Sequence, residues 1–172
     1  GDVYKRQGPI YESFNVDIED NDFFQAEEKL LETSLMHISS VINEIVANNK
    51  QPEEQNSKEV TYAEKIDRDD GLVNWSWGVK EIKNKFLAYR KWPVLSFMFK
   101  NEEVQIHDLE IAPDQAGDPG VITEFTKDSL SVSCGDGVVK IKAVKFPGKK
   151  VISSIDFFNA KRDIISSGDI LV

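Results

Sequence analysis

From Phe23 to about Asn48, apolar residues recur at Phe24, Leu31, Leu35, Ile38, Ile42 and Ile45. Their spacings of seven, four, three, four and three residues are those of one face of an α-helix, roughly 39 Å long at ~1.5 Å per residue. Glu19-Asp20-Asn21-Asp22 ahead of it offers capping side chains and negative charge for the helix start. Gly8 to Ile18 carries Ile10, Phe14, Val16 and Ile18 at mostly even spacing, which predicts an edge strand. One strand cannot cover so long a stripe, so most of the partner sheet is expected to lie outside this chain.

Asn48 to Lys58 lacks any large apolar residue and contains Pro52, the composition of a linker. Beyond it, Val60-Thr61-Tyr62-Ala63 reads as strand and Asp69-Asp70-Gly71 as a turn. Ser76 is placed to cap a second helix, with Val79, Ile82, Phe86 and Tyr89 on one face, stopped by Trp92-Pro93. The pattern then changes to short alternating runs separated by turn residues. Strands are predicted near Leu95 to Phe99, Val104 to Ile111, Gly120 to Phe125, Leu130 to Cys134 and Val138 to Val144. Gly135-Asp136-Gly137 supplies a hairpin with two glycines able to take positive φ. Ser154 to Asn159 suits a short helix, and Asp169 to Val172 a last extended piece. Five strands and one main helix in this space predict a small closed β-barrel of oligonucleotide-binding type, with a flat sheet packed on the helix as the alternative.

The 172 residues carry a formal charge of −9, which alone argues against a nucleic-acid partner. The charge is uneven, however. Residues 1–58 hold 5 Lys and Arg against 12 Asp and Glu, and residues 59–172 hold 16 against 18. The second part is near neutral, and its lysines cluster. In Val138 to Ala143, Lys140 and Lys142 alternate with Val139, Ile141 and Ala143, which puts both lysines on one strand face and the apolar residues on the other. Lys145, Lys149 and Lys150 follow, and Lys80, Lys83, Lys85, Arg90 and Lys91 lie along the second helix. Such a surface suits phosphates, and an ordinary solvated surface is the competing reading.

Other chemistry is sparse. Cys134 is the only cysteine, which excludes an internal disulfide and a thiolate zinc site and fits a cytoplasmic protein. No run reaches the ~18 apolar residues of a membrane span, and no metal is expected. His37 and His107 lack a partner arrangement for general base work and read as structural or surface histidines. Cys134 reads as a packed thiol, and the acidic pairs as solvated charge. Residues 1–7 fit neither neighbouring periodicity and look like translated sequencing adapter or a disordered leader.

Residues 59–172 resemble the C-terminal domain of the methionyl-tRNA formyltransferases. The matching runs are Thr61 to Ile66, Asp70-Gly71, Val73-Asn74-Trp75-Ser76, Glu81-Ile82 and Trp92-Pro93, then Gly120-Val121-Ile122, Gly135-Asp136-Gly137, Gly148-Lys149-Lys150, Ser153 and Asp156-Phe157. Glu64, Leu87 and Val94-Leu95 depart from the family's proline, arginine and Gly-Ala pair. The resemblance implies four segments: a leader (1–7), the strand-helix end of a Rossmann-like α/β catalytic domain (8–48), a linker (49–58) and the C-terminal barrel domain (59–172). It implies formyl transfer from 10-formyltetrahydrofolate, as co-substrate, to the methionyl amine of initiator tRNA in the cytoplasm, by a monomer. The family's catalytic asparagine, histidine and aspartate precede this region, and the aspartate's place falls on Arg6. The chain therefore carries no catalytic residue, binds no cofactor itself, and holds tRNA through Lys140, Lys142, Lys149 and Lys150, with Lys80, Lys83 and Lys91 behind them. A sugar-nucleotide or folate-linked formyltransferase relative, and a stand-alone barrel binding RNA or protein, are the alternatives.

Overall fold

The computed structural model describes residues 8–56, 58–112 and 117–171. The leader (1–7) and Val172 fall outside the described residues. The chain divides into two compact units, 1–65 and 66–172.

In the first unit, helix α1 (Phe23–Val46) is the main element. Asp22 Oδ1 accepts from the Phe24 and Gln25 amides at 3.0 and 3.1 Å, and Gln25 returns a bond to the Asp22 amide, which closes a capping box. No residue of α1 is buried. Its half-buried positions are Phe23, Ala26, Thr33, His37, Val41 and Ile45, and the His37 ring stacks on Phe14 with centroids 4.1 Å apart. The apolar stripe predicted from the sequence therefore faces outward: Leu31, Leu35, Ile38 and Ile42 are all more than half exposed. Gly8 to Ile18 is not a strand. Its pairing is a single antiparallel bridge, Ile10 to Glu53, reinforced by a Lys50–Glu12 ion pair.

The second unit is a curled antiparallel sheet of six strands with two helices and a 3-10 turn at Asp69–Gly71. Its elements are α2 (Val79–Ala88), β1 (Ser96–Phe99), β2 (Glu102–Ala112), β3 (Ile122–Phe125), β4 (Leu130–Cys134), β5 (Gly137–Lys145), β6 (Val151–Ser153) and α3 (Ser154–Lys161). The order is β1-β2-β5-β4-β3, with β6 also pairing β5. β5 is the spine: one edge meets β2, and the other meets β4 along residues 137–141 and then β6 along 143–145. The five predicted strands are β1 to β5, and β6 is a three-residue strand too short to show a period of two. Val60 to Ala63 has no regular structure.

The core is formed by the inward sides of these strands, with Phe97, Val104, Ile106, Ile122, Leu130, Val132, Val139, Ile141 and Val144 essentially removed from solvent. α2 adds Val79 and Ile82, and α3 adds Phe157, whose ring meets Phe125 and Phe146 edge-on. Lys100 and Asn101 both take positive φ, so β1 and β2 are joined by a two-residue primed turn that matches the strand twist.

The start of α2 is not at Ser76, whose hydroxyl donates to Asn74 Oδ1. The helix is capped instead at Gly78, and the cap comes from far along the chain: the Val79 amide donates to Asp136 Oδ1 at 2.7 Å. Asp136 sits in the β4–β5 turn. Neither Gly135 nor Gly137 has positive φ; a Cβ on Gly135 would run into the Ser76 carbonyl oxygen, and the Gly135 amide donates to Trp77 O at 2.9 Å. Glycine is needed there because two backbones touch. A Cβ on Gly78 would lie 2.7 Å from Asp136 Oδ2.

Removing the Asp136 carboxylate should cost about 1–2 kcal/mol of stability, the range for a lost N-cap. Urea denaturation of D136A should show that loss, D136N should lose less because an acceptor oxygen remains, and G78A should also destabilise.

Candidate functional site

The outward face of β5 is where the sequence places its cations, and its geometry depends on how β5 pairs with β2. The register runs Gln105 to Lys145 and Ile106 to Val144, then skips to Asp108 and Ala143, then to Leu109 and Ile141. One residue on each strand has no partner: His107 on β2 and Lys142 on β5. These paired bulges shift the inward phase from Ile106 to Leu109 on one strand and from Ile141 to Val144 on the other. Ala143 is consequently not on the inward face as expected; Val144 takes the buried place and Ala143 is half-buried. The signal was present in the sequence. Apolar positions 104, 106, 109 and 111 contain one step of three among steps of two.

Lys140 and Lys142 do lie on the outward side, both half-buried. They share that side with acids. Lys142 Nζ is 3.3 Å from Glu110 Oε2, and Glu110 is also the register partner of Lys140. On the other flank Lys140 pairs with Ser131, which pairs in turn with Glu124. This end of the sheet is close to electrically balanced.

The other end of β5 is not. Lys145 stands opposite Gln105, and Gln105 Oε1 is 3.4 Å from His107 Nε2. Arg90, just past α2, donates from Nη1 to the His107 carbonyl at 3.1 Å while its guanidinium lies over Phe86, 4.8 Å from the ring centroid. Burial, then Lys145, then Arg90 hold the His107 imidazole below the ordinary histidine range. Lys149 and Lys150 extend the same end. The Lys149 amide donates to Phe146 O at 3.0 Å, and Gly148 has φ of 67°, the geometry of a type II turn with Pro147 and Gly148 at its centre. Both lysines are exposed.

On α2, Lys80 and Lys91 are exposed and Lys83 is half-buried. Lys85 is drawn onto aromatic faces instead, its Nζ 4.5 Å from the Trp77 centroid and 5.4 Å from that of Tyr89. Trp75 is buried in the core and Trp77 only partly, as a non-helical turn permits. Cys134 is buried, its Sγ donating to Gly137 O at 3.3 Å, and burial raises its pKa. Among the described residues no group of His, Cys, Asp and Glu is arranged to hold a metal ion, and no helix is long and apolar enough to cross a membrane. The sequence pattern points to the lysines and to Arg90, and gives no signal for His107 or Gln105 as site residues.

Residues 65–162 match the family model described as "Formyl transferase, C-terminal domain". The methionyl-tRNA formyltransferase of Francisella philomiragia is 30% identical over 156 residues, 90% of this chain and 49% of that protein. The Pseudomonas putida protein of the same name is 32% identical over 121 residues, 70% of this chain and 39% of its own length. That of Stutzerimonas stutzeri is 26% identical over 165 residues, 95% and 52%. The chain spans about half the length of the curated relatives it matches. Among solved structures, a variant of HypX from Aquifex aeolicus superposes with a TM-score of 0.60 at 16% identity over 96% of this chain and 30% of that one. HypX in complex with tetrahydrofolic acid gives 0.58 at 15% over 96% and 31%. At these identities the likeness is one of fold.

The depressed His107 pKa has a consequence for stability with a definite sign. The folded state disfavours the proton that the unfolded chain accepts, so the contribution is present above the unfolded histidine pKa of about 6.5 and lost as pH falls through it. Denaturation midpoints should fall between about pH 7 and about pH 5, and H107Q should flatten that part of the profile.

Proposed function

We propose, since the chain belongs to the formyl transferase C-terminal domain family, that it is the tRNA-holding part of a methionyl-tRNA formyltransferase. The observation that carries the reading is the family match across residues 65–162, in a unit whose cations gather around one long strand. Three curated relatives bearing that name align with 70–95% of the chain. In the whole enzyme the methionyl amine attacks the formyl carbon of 10-formyltetrahydrofolate, and the asparagine, histidine and aspartate that stabilise the oxyanion and move protons lie outside this chain. The chain's own residues bind and orient tRNA, hold no cofactor, and transfer no formyl group by themselves. A cytoplasmic place follows from that role in translation.

A 165-residue alignment is too long to fit after residue 58, so residues 8–48 are read as the end of the catalytic α/β domain and 49–58 as the linker. The outward apolar stripe of α1 supports that reading, because a helix with Leu35 64% and Ile42 51% exposed is built to lie against something. The preceding half of the protein is the occupant. The curl of the sheet around β5 supports an oligonucleotide-binding-like barrel for residues 59–172.

Phosphate contacts are assigned to Lys149, Lys150, Lys140 and Lys142, with Lys80, Lys83 and Lys91 secondary. Lys142 reaches a phosphate only by leaving Glu110, whereas no ion pair engages Lys140, Lys149 or Lys150 among the described residues.

Initiator tRNA should bind the chain weakly at low salt. K149A/K150A should weaken binding and reduce the slope of log affinity against log salt by about 2, near 0.9 per phosphate lost. E110Q should tighten binding by a few-fold, an exposed pair being worth about 0–1 kcal/mol. Absence of tRNA binding to the unaltered chain at low salt would overturn the assignment.

A further inference from the structure

The paired bulges raise a question the lysine pattern does not answer, namely what the fold gains by turning His107 outward. A histidine is a poor choice for a simple solvated surface position flanked by cations. Lys145, opposite Gln105 on β5, is near enough to act on its charge, Arg90 bonds its carbonyl from the segment after α2, and Gln105 sits beside it on β2. The acids on β2 do not compensate equally. Glu103 is ion-paired with Arg68 and accepts from Ser96 Oγ at 3.0 Å, while Asp108, the next residue, is exposed. No ion pair engages Lys145 among the described residues.

We propose that Arg90, Gln105, His107 and Lys145 form an anion site that takes one backbone phosphate of the RNA. The inference rests on the tRNA reading above and names where in that unit the phosphate sits. The donor set is complementary to a phosphate: a guanidinium fixed by its backbone bond and its ring contact, a point-charge ammonium, an imidazole and an amide. The guanidinium is fixed in place before a ligand arrives, since Phe86 holds its plane and the His107 carbonyl holds Nη1. In the empty site burial, and after it repulsion from Lys145 and Arg90, lowers the His107 pKa. An arriving phosphate cancels that repulsion, and His107 takes up a proton and donates a second charge-assisted bond. Binding is therefore coupled to protonation and tightens as pH falls.

The test uses the full chain. Affinity for initiator tRNA is measured at low salt from about pH 7.5 to about pH 5.5, and the His107 ring resonances are followed by NMR during titration with inorganic phosphate. One coupled proton limits the tightening to about tenfold per pH unit, and a total of about threefold to tenfold is expected. H107Q should remove that pH dependence. K145Q should weaken tRNA binding at every pH and lower the salt slope by about 0.9. Inorganic phosphate should shift the His107 resonances and raise its pKa. If tRNA binds yet H107Q and K145Q match the unaltered chain in affinity and pH profile, the site is wrong and the tRNA reading survives. If tRNA does not bind but phosphate moves His107, the anion site stands and the tRNA reading falls. If neither happens, both fall.

Discussion

The long antiparallel contact between β2 and β5 must keep an apolar side against the core while both strands coil, and two straight ladders of this length cannot do that. The paired bulges at His107 and Lys142 relieve the conflict. Each strand inserts one unpartnered residue, one step apart along the ladder, so the register recovers after the bulges. Ile106 and Leu109 on β2, and Ile141 and Val144 on β5, all remain buried across the irregularity. Without the slip, every residue beyond it would change faces, and Leu109 and Val144 would point to solvent. The same slip presents His107 and Lys142 outward, so the device that preserves the core also sets the surface chemistry.

A second constraint ties the helix to this sheet. α2 receives its N-terminal acceptor from Asp136, in the turn that opens β5, rather than from its own sequence. The bond joins residues 57 positions apart and lets the α2 and β5 backbones approach through Gly78 and Gly135. Arg90 leaves the far end of α2 and bonds the backbone of the β2 bulge. The helix is held at its start by the β4–β5 turn and just past its end by β2, so the cations on it have a defined relation to those on β5.

Much of the chain was legible because its elements are local. α1 appeared from its apolar period and acidic cap, the apolar face of α2 from Val79, Ile82, Phe86 and Tyr89, and five strands from alternation between turns. What failed was information carried by pairing. The Asp136 cap is invisible locally because the expected capping residue, Ser76, sits two positions before Gly78 and is otherwise occupied. β6 was missed because three residues cannot establish a period. Ala143 was put on the wrong face because strict alternation was carried through a bulge whose only trace is a step of three between apolar positions. The outward stripe of α1 has a different origin: its pattern was read correctly, but its complement is not among the residues that pack on it here.

Net charge illustrates the same limit. A total of −9 would predict repulsion of any polyanion, yet at ~8 Å of Debye screening a phosphate at the surface responds chiefly to the charges immediately around it. Even the local lysine count misleads. Lys140 and Lys142, evenly alternating and apparently the best phosphate ligands, are set beside Glu110, and a phosphate must displace a carboxylate to reach Lys142. At the opposite end of β5, Glu103 on β2 is already engaged by Arg68 and Ser96, and no ion pair engages Lys145 among the described residues. The strand thus has a polarity of charge that its sequence does not display, and it follows from which residues of β2 the register sets opposite it.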